Sequence, residues 1–129
     1  AKVWLDKQST LNQEAVELNT ATGKSRINII QIGFIQVAQH DRRDKEIHLL
    51  DGRTVLAKNI SMEELLQRLP ANEFAQVNRK TVVSLAQISA YTSQMVICKS
   101  LDGKGPMHFP LTASYKTDFI NKFSTQYNF

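Results

Sequence analysis

Phe74-Ala-Gln-Val-Asn-Arg-Lys-Thr-Val-Val-Ser-Leu-Ala-Gln-Ile88 sets two cations between two apolar blocks. Phe74 and Val77 anchor one side, and Val82, Val83, Leu85 and Ile88 anchor the other, so the backbone turning at Asn78, Arg79 and Lys80 is pinned while their polar heads project. A cation on a pinned backbone suits phosphate or guanine recognition, because a planar fork of donors that is already oriented loses little freedom on binding.

Outward from this stretch the chain reads as short strands. Downstream, residues 88–92 and 94–99 alternate as strands, Leu101-Asp-Gly-Lys-Gly105 is a turn, and residues 107–111 form a last strand in which Pro110 favours an edge. Thr112 can then cap a terminal helix with Tyr115, Phe119, Ile120 and Phe123 on one face. Upstream, Ser61 and Glu64 form a capping box ahead of Met62, Leu65, Leu66 and Leu69, a helix that Pro70 stops. Residues 32–39 carry Phe34, Ile35 and Val37 in a near-continuous apolar run, which predicts a strand buried on both faces or one passing through the core. His40-Asp-Arg-Arg-Asp-Lys45 is a charged tip, and the chain returns through Ile47, Leu49 and Leu50, turns at Asp51-Gly52, and resumes over residues 54–57. Residues 15–29 alternate about a turn at Ala21-Thr-Gly-Lys24 as another hairpin, and residues 1–14 read as a linker or frayed helix. His48 lies between Ile47 and Leu49 and is expected on the solvent side of its strand. No internal repeat is visible. The fold class is mainly β, built of antiparallel hairpins with one short internal helix and a C-terminal helix.

The whole chain has 129 residues, a size for one core, with net charge +4 and a sequence pI near 9.3. That mild basic excess fits a nucleic-acid partner without demanding one. Cys98 is the lone cysteine, so no intrachain disulfide forms, and its alternating neighbours predict a buried strand position. No apolar run approaches the roughly 18 residues of a spanning helix, and no signal peptide is evident, so the cytoplasm and no membrane contact are expected. His40, His48, His108 and Cys98 have no metal-ligand spacing, and there is no Gly-rich phosphate loop or nucleophile motif. Catalytic residues, metal and cofactor are therefore all expected to be none.

The central stretch resembles the signature of the LytTR family, the DNA-binding domain of many bacterial response regulators, which runs roughly Phe-x-Arg-x-His-Arg-Ser-aromatic-Ile-Val-Asn-Leu-x-x-Ile. Phe74, Arg79, Val83, Leu85 and Ile88 fall on it without a gap, whereas Asn78, Lys80, Thr81 and Ser84 replace its His, Ser, aromatic and Asn. Gln31-Ile-Gly-Phe-Ile-Gln-Val37 resembles the family's Asp-Ile-x-Tyr-Ile-Glu strand, and Ser61-Met-Glu-Glu-Leu65 its Ser-Leu-x-x-Leu helix. The resemblance spans about residues 16–123. It implies an elongated β domain over residues 15–129 that reads double-stranded DNA through loops, as a bacterial transcription regulator. It further implies paired binding to promoter direct repeats as a homodimer, with a receiver or other regulatory domain ahead of residue 1.

Three segments are candidates for the DNA face: the tip with Arg42, Arg43 and Asp44, the turn with Asn78, Arg79 and Lys80, and the start of the last helix with Ser114 and Lys116. In the family, base contacts are attributed to a polar tip residue, to the position of Arg79, and to an Arg just after the last strand. The first of these is about Asp44 here and the last is Ala113, so two of the three are altered. Arg79 is read as a base or phosphate contact, against a plain surface charge or an ion pair with Glu73. Arg42 and Arg43 are read as phosphate contacts against a solvated tip, and Asp44 as a holder of one of those arginines, since a carboxylate repels phosphate. Lys80, Lys116 and Ser114 could each bind phosphate. The rival reading is an interaction or sensory module that keeps the LytTR fold and has lost the DNA face.

Overall fold

The computed structural model describes residues 15–71, 73–99 and 105–127, with side chains as far as residue 124. The segment 1–14 and most of the turn at 101–105 lie outside the described residues. Strands β1 (Ala15–Thr20) and β2 (Gly23–Asn28) form the first hairpin, in which Gly23 takes φ +116, a conformation that costs a residue without Cβ little. β3 (Ile32–Val37), β4 (Lys45–Leu49) and β5 (Thr54–Ala57) follow, then helix α1 (Met62–Gln67). The second half runs β6 (Phe74–Asn78), β7 (Thr81–Ser84), β8 (Ile88–Tyr91), β9 (Met95–Cys98), β10 (Met107–Pro110) and helix α2 (Ala113–Tyr127). One antiparallel sheet has the order β2-β1-β5-β4-β3-β7-β6, and a second has β10-β9-β8, with the Pro110 strand at an edge as expected.

The doubly apolar strand explains the layering. Successive side chains of β3 point to opposite faces, so Ile35 joins one core with Ile47, Leu65, Phe74 and Val82, while Phe34 joins another with Val77, Val83, Val96, Phe109 and Phe119. α1 covers the first face and the second sheet with α2 covers the other. Cys98 is buried in the second core, as its alternation predicts.

Three elements depart from the sequence reading. β3 stops at Val37 rather than 39, because the amide of Ala38 turns to the carbonyl of Asp44 (3.0 Å) and opens the tip. The Ser61 hydroxyl accepts from the amide of Glu64 (3.0 Å) as the capping box predicts, but α1 ends at Gln67, where Arg68 and Leu69 donate three residues back and tighten the last turn. His48 alternates with buried Ile47 and Leu49 as expected, but it faces solvent only in part, its side chain being 24% exposed. Its face of β4 is roofed by the second core, and its ring stacks on Phe34 at 4.3 Å and 16°.

A repeat that the sequence conceals is present in the backbone. Each half runs hairpin, three-residue 3-10 turn, three-stranded meander, helix. The 3-10 turns Ile29–Gln31 and Leu85–Gln87 are entered and left at nearly the same dihedral angles. Each is followed by a register shift one residue on, between Ile32 and Phe34 and between Ile88 and Ala90. The carbonyls of Gln31 and Gln87 accept from the amides of Leu50 and Lys99 (2.8 and 2.7 Å), and those of Asn19 and Val77 from Lys58 and Thr112 (2.8 and 3.1 Å).

Candidate nucleic-acid interface

The antiparallel registers bring the end of β3, the start of β4, the end of β5, the start of β7 and the end of β6 to one end of the large sheet. The tip between β3 and β4 and the turn between β6 and β7 therefore lie side by side, centred two strands apart, or roughly 10 Å. The amide of Val37 donates to the carbonyl of Lys80 (3.0 Å) and ties them together. The segment after β10 joins the same end, because Thr112 donates to Val77 (3.1 Å). The three candidate segments, far apart in sequence, form one row.

Arg79 and Lys80 are exposed, and neither belongs to an ion pair among the described residues. Glu73 precedes β6 at its far end, roughly 17 Å of extended chain away, so the expected alternative pairing with Arg79 is not made. Their turn is held by Asn78 instead. Its Oδ1 accepts from the amide of Lys80 (2.9 Å) and its Nδ2 donates to the carbonyl of Pro110 (2.8 Å). Two-residue hairpin turns matched to strand twist need positive φ at one or both central residues. Asn59 is the one non-glycine residue with positive φ among the described residues, so here the mismatch is absorbed by a register shift between Gln76 and Asn78. Asn78 thus spends its amide on architecture.

The tip is organised by its acids. Arg43 lies against Asp41, donating from its amide (3.0 Å), Nε (3.2 Å) and Nη2 (2.9 Å), and these bonds hold the Asp41 carboxyl down to about 2. Asp44 does not hold either arginine, contrary to expectation. Its side chain is 4% exposed, Oδ1 accepts from the amide of Asn59 (2.9 Å), and Oδ2 accepts from Lys58 Nζ (2.9 Å) with His40 Nε2 at 3.4 Å. The Asn59 amide first, and Lys58 next, keep its carboxyl below the usual range. With both oxygens inside, Asp44 cannot read a base edge from this position. It fastens the tip to the chain after β5, where Asn59 takes φ 54. Lys45 is buried as well, donating to the carbonyl of Arg42 (2.7 Å), and desolvation pulls its amine below the ordinary lysine range. Of the tip cations, Arg42 is exposed and in no ion pair among the described residues.

At the third segment, Thr112, Ala113 and Ser114 are exposed and Lys116 is half-buried on the first turns of α2. Sequence reasoning passed over Gln36, Gln39 and Lys58, which also belong to this end. Gln36 stands at the Glu position of the strand stretch 31–37, but nothing there points to a contact, and Gln39 and Lys58 read as ordinary polar residues at strand ends. Among the described residues no three His, Cys, Asp or Glu side chains are grouped to hold a metal ion, and no helix is long and apolar enough to cross a membrane.

A two-sided β domain that sets exposed cations outside any ion pair among the described residues, Arg42, Arg79 and Lys80, on two adjoining loops is of the class that meets nucleic acid with loops instead of a recognition helix. The chain belongs to the LytTr DNA-binding domain family, whose model matches residues 25–124. Among solved structures it is similar to one named as the LytTr DNA-binding domain of a methyl-accepting/DNA response regulator from Bacillus cereus. That likeness has a TM-score of 0.64 at 20% identity and covers 84% of this chain and 95% of that one. No curated protein matches.

Proposed function

We propose that this chain is the output domain of a bacterial transcription regulator of the response-regulator type, and that it reads double-stranded DNA in the cytoplasm through the three-loop row. The observation that carries this is the convergence of Arg42, Arg79, Lys80 and Ser114 from three separate loops onto one end of a rigid sheet. Arg79, on the turn pinned by Asn78, takes the base-reading role. Arg42, Arg43, Lys80 and Lys116 meet backbone phosphates, and Ser114 donates to one. Asp44 and Asn78 shape the loops and leave the contacting to their neighbours. The domain, residues 15–129, works as a pair on promoter direct repeats, joined through residues 1–14 to a receiver or other regulatory domain. The test is Arg79→Ala on a duplex selected from random sequence. Loss on the selected site should exceed loss on unrelated DNA by roughly 1–3 kcal/mol, the discrimination of one bidentate base contact. Equal losses would make Arg79 a backbone contact, and absence of saturable binding by the parent at low salt would favour an interaction module, for which the missing Arg at Ala113 speaks.

A further inference from the structure

Between the tip and the β6–β7 turn lies an open cleft of ≈ 410 Å³, lined by Gln36, Val37, Gln39, Arg42, Glu46 and Lys80 among others. Four of these side chains donate hydrogen bonds, and they come from three places: the end of β3, the tip and the turn. The two cations stand on clamped backbone. Lys80 is fixed on both sides, its amide to Asn78 Oδ1 (2.9 Å) and its carbonyl to the amide of Val37 (3.0 Å), and the carbonyl of Arg42 accepts from buried Lys45 Nζ (2.7 Å). The one acid of the lining, Glu46, has Oε1 at 3.3 Å from His48 Nε2.

We infer that this cleft is a seat for a single backbone phosphate of the DNA, shared by Arg42 from one loop and Lys80 from the other and completed by the amides of Gln36 and Gln39. Resting on the DNA-binding reading above, it adds that two loops grip one phosphate together, and it assigns Gln36 and Gln39, neither of which was among the candidate contacts. A shared anion is favoured over two separate ones because the cations face a common space from neighbouring loops. Donors whose main chain is already fixed give up little freedom when the phosphate arrives.

Sharing has an arithmetic signature. Each neutralised phosphate contributes about 0.9 to the log–log salt slope on B-form DNA. Titrations of a selected duplex at several salt concentrations should show the slope falling by no more than about 0.9 in the double variant Arg42→Ala, Lys80→Ala, whereas two independent phosphates would remove about 1.8. Gln36→Ala with Gln39→Ala should weaken binding to all sequences with the slope unchanged, since neutral donors release no counterion. A scan of uncharged methylphosphonate linkages should find one position that weakens the parent protein and leaves the Arg42, Lys80 double variant unaffected. Circular dichroism and thermal midpoint of each variant establish that it is folded. Slopes that add, or the absence of any linkage whose neutralisation is silent in the double variant, would overturn the cleft while DNA binding itself stood. Failure of the parent to bind would overturn both.

Discussion

Asp44 carries more of the tip than either of the arginines beside it. Two neighbours, the Asn59 amide and Lys58, donate to its buried carboxylate, so Asp44→Ala is expected to lower the thermal midpoint and to weaken DNA binding without the residue touching DNA. The sign with pH follows from its lowered carboxyl. Its contribution is full above the unfolded carboxylate range, near about 3.9, and is lost as pH falls below that. Acid titration of the midpoint should accordingly be shallower in Asp44→Asn than in the parent. The two arginines should separate in the same assays. Arg42→Ala should weaken binding to every sequence more than Arg43→Ala does, because Asp41 already occupies the Arg43 guanidinium. Equal losses would mean that Asp41 releases Arg43 to the DNA. Cys98 offers a separate check of the second core. Burial pushes its thiol up to about 12, so iodoacetamide at mildly alkaline pH should label it at the rate of unfolding, and labelling as fast as in urea would contradict its position.

At the scale of elements, the β6–β7 turn and the segment before α2 act together because Asn78 bonds to both Lys80 and Pro110. Ala113 stands exposed beside that bond, at the position where the resemblance to the family signature implies an Arg. Ala113→Arg is therefore expected to gain roughly 1–3 kcal/mol on sites with a suitably placed guanine and much less elsewhere. Affinities on a panel of duplexes, taken with thermal midpoints, check it: a uniform small gain would be added charge alone. Phe34, which stacks on His48 and packs on Phe109, joins the large sheet to the second core, and Phe34→Ala should cost about 3–5 kcal/mol in chemical denaturation. These elements were legible to different degrees. The hairpins, the Ser61 cap and the doubly buried β3 follow from local pattern, because alternation and capping are set by neighbours a few residues apart. His48 was expected more open than it is, because alternation tells which face a residue takes and not whether another sheet covers that face.

For the whole molecule, the repeat of hairpin, 3-10 turn, meander and helix shows why part of the site was out of reach of the sequence. Asn28-Ile-Ile-Gln-Ile32 and Ser84-Leu-Ala-Gln-Ile88 share little beyond an apolar residue and a Gln-Ile pair, yet build the same corner, because the corner depends on backbone bonds to Leu50 and Lys99 far along the chain. Candidate loops could be picked out by charge and by likeness to a signature. That they adjoin, that Asp44 points inward and that Gln36 faces Lys80 across a cleft all depend on sheet order, which no stretch of sequence encodes alone. The same order makes the central claim one about geography: a single end of the large sheet meets DNA, and the end bearing the two 3-10 turns does not. Amide hydrogen exchange with and without a selected duplex tests that most directly. Protection is expected over residues 38–44, 78–80 and 111–116 together, with residues 29–31, 50–53 and 85–87 unchanged; protection centred on the latter three, or binding that leaves all six segments untouched, would contradict it.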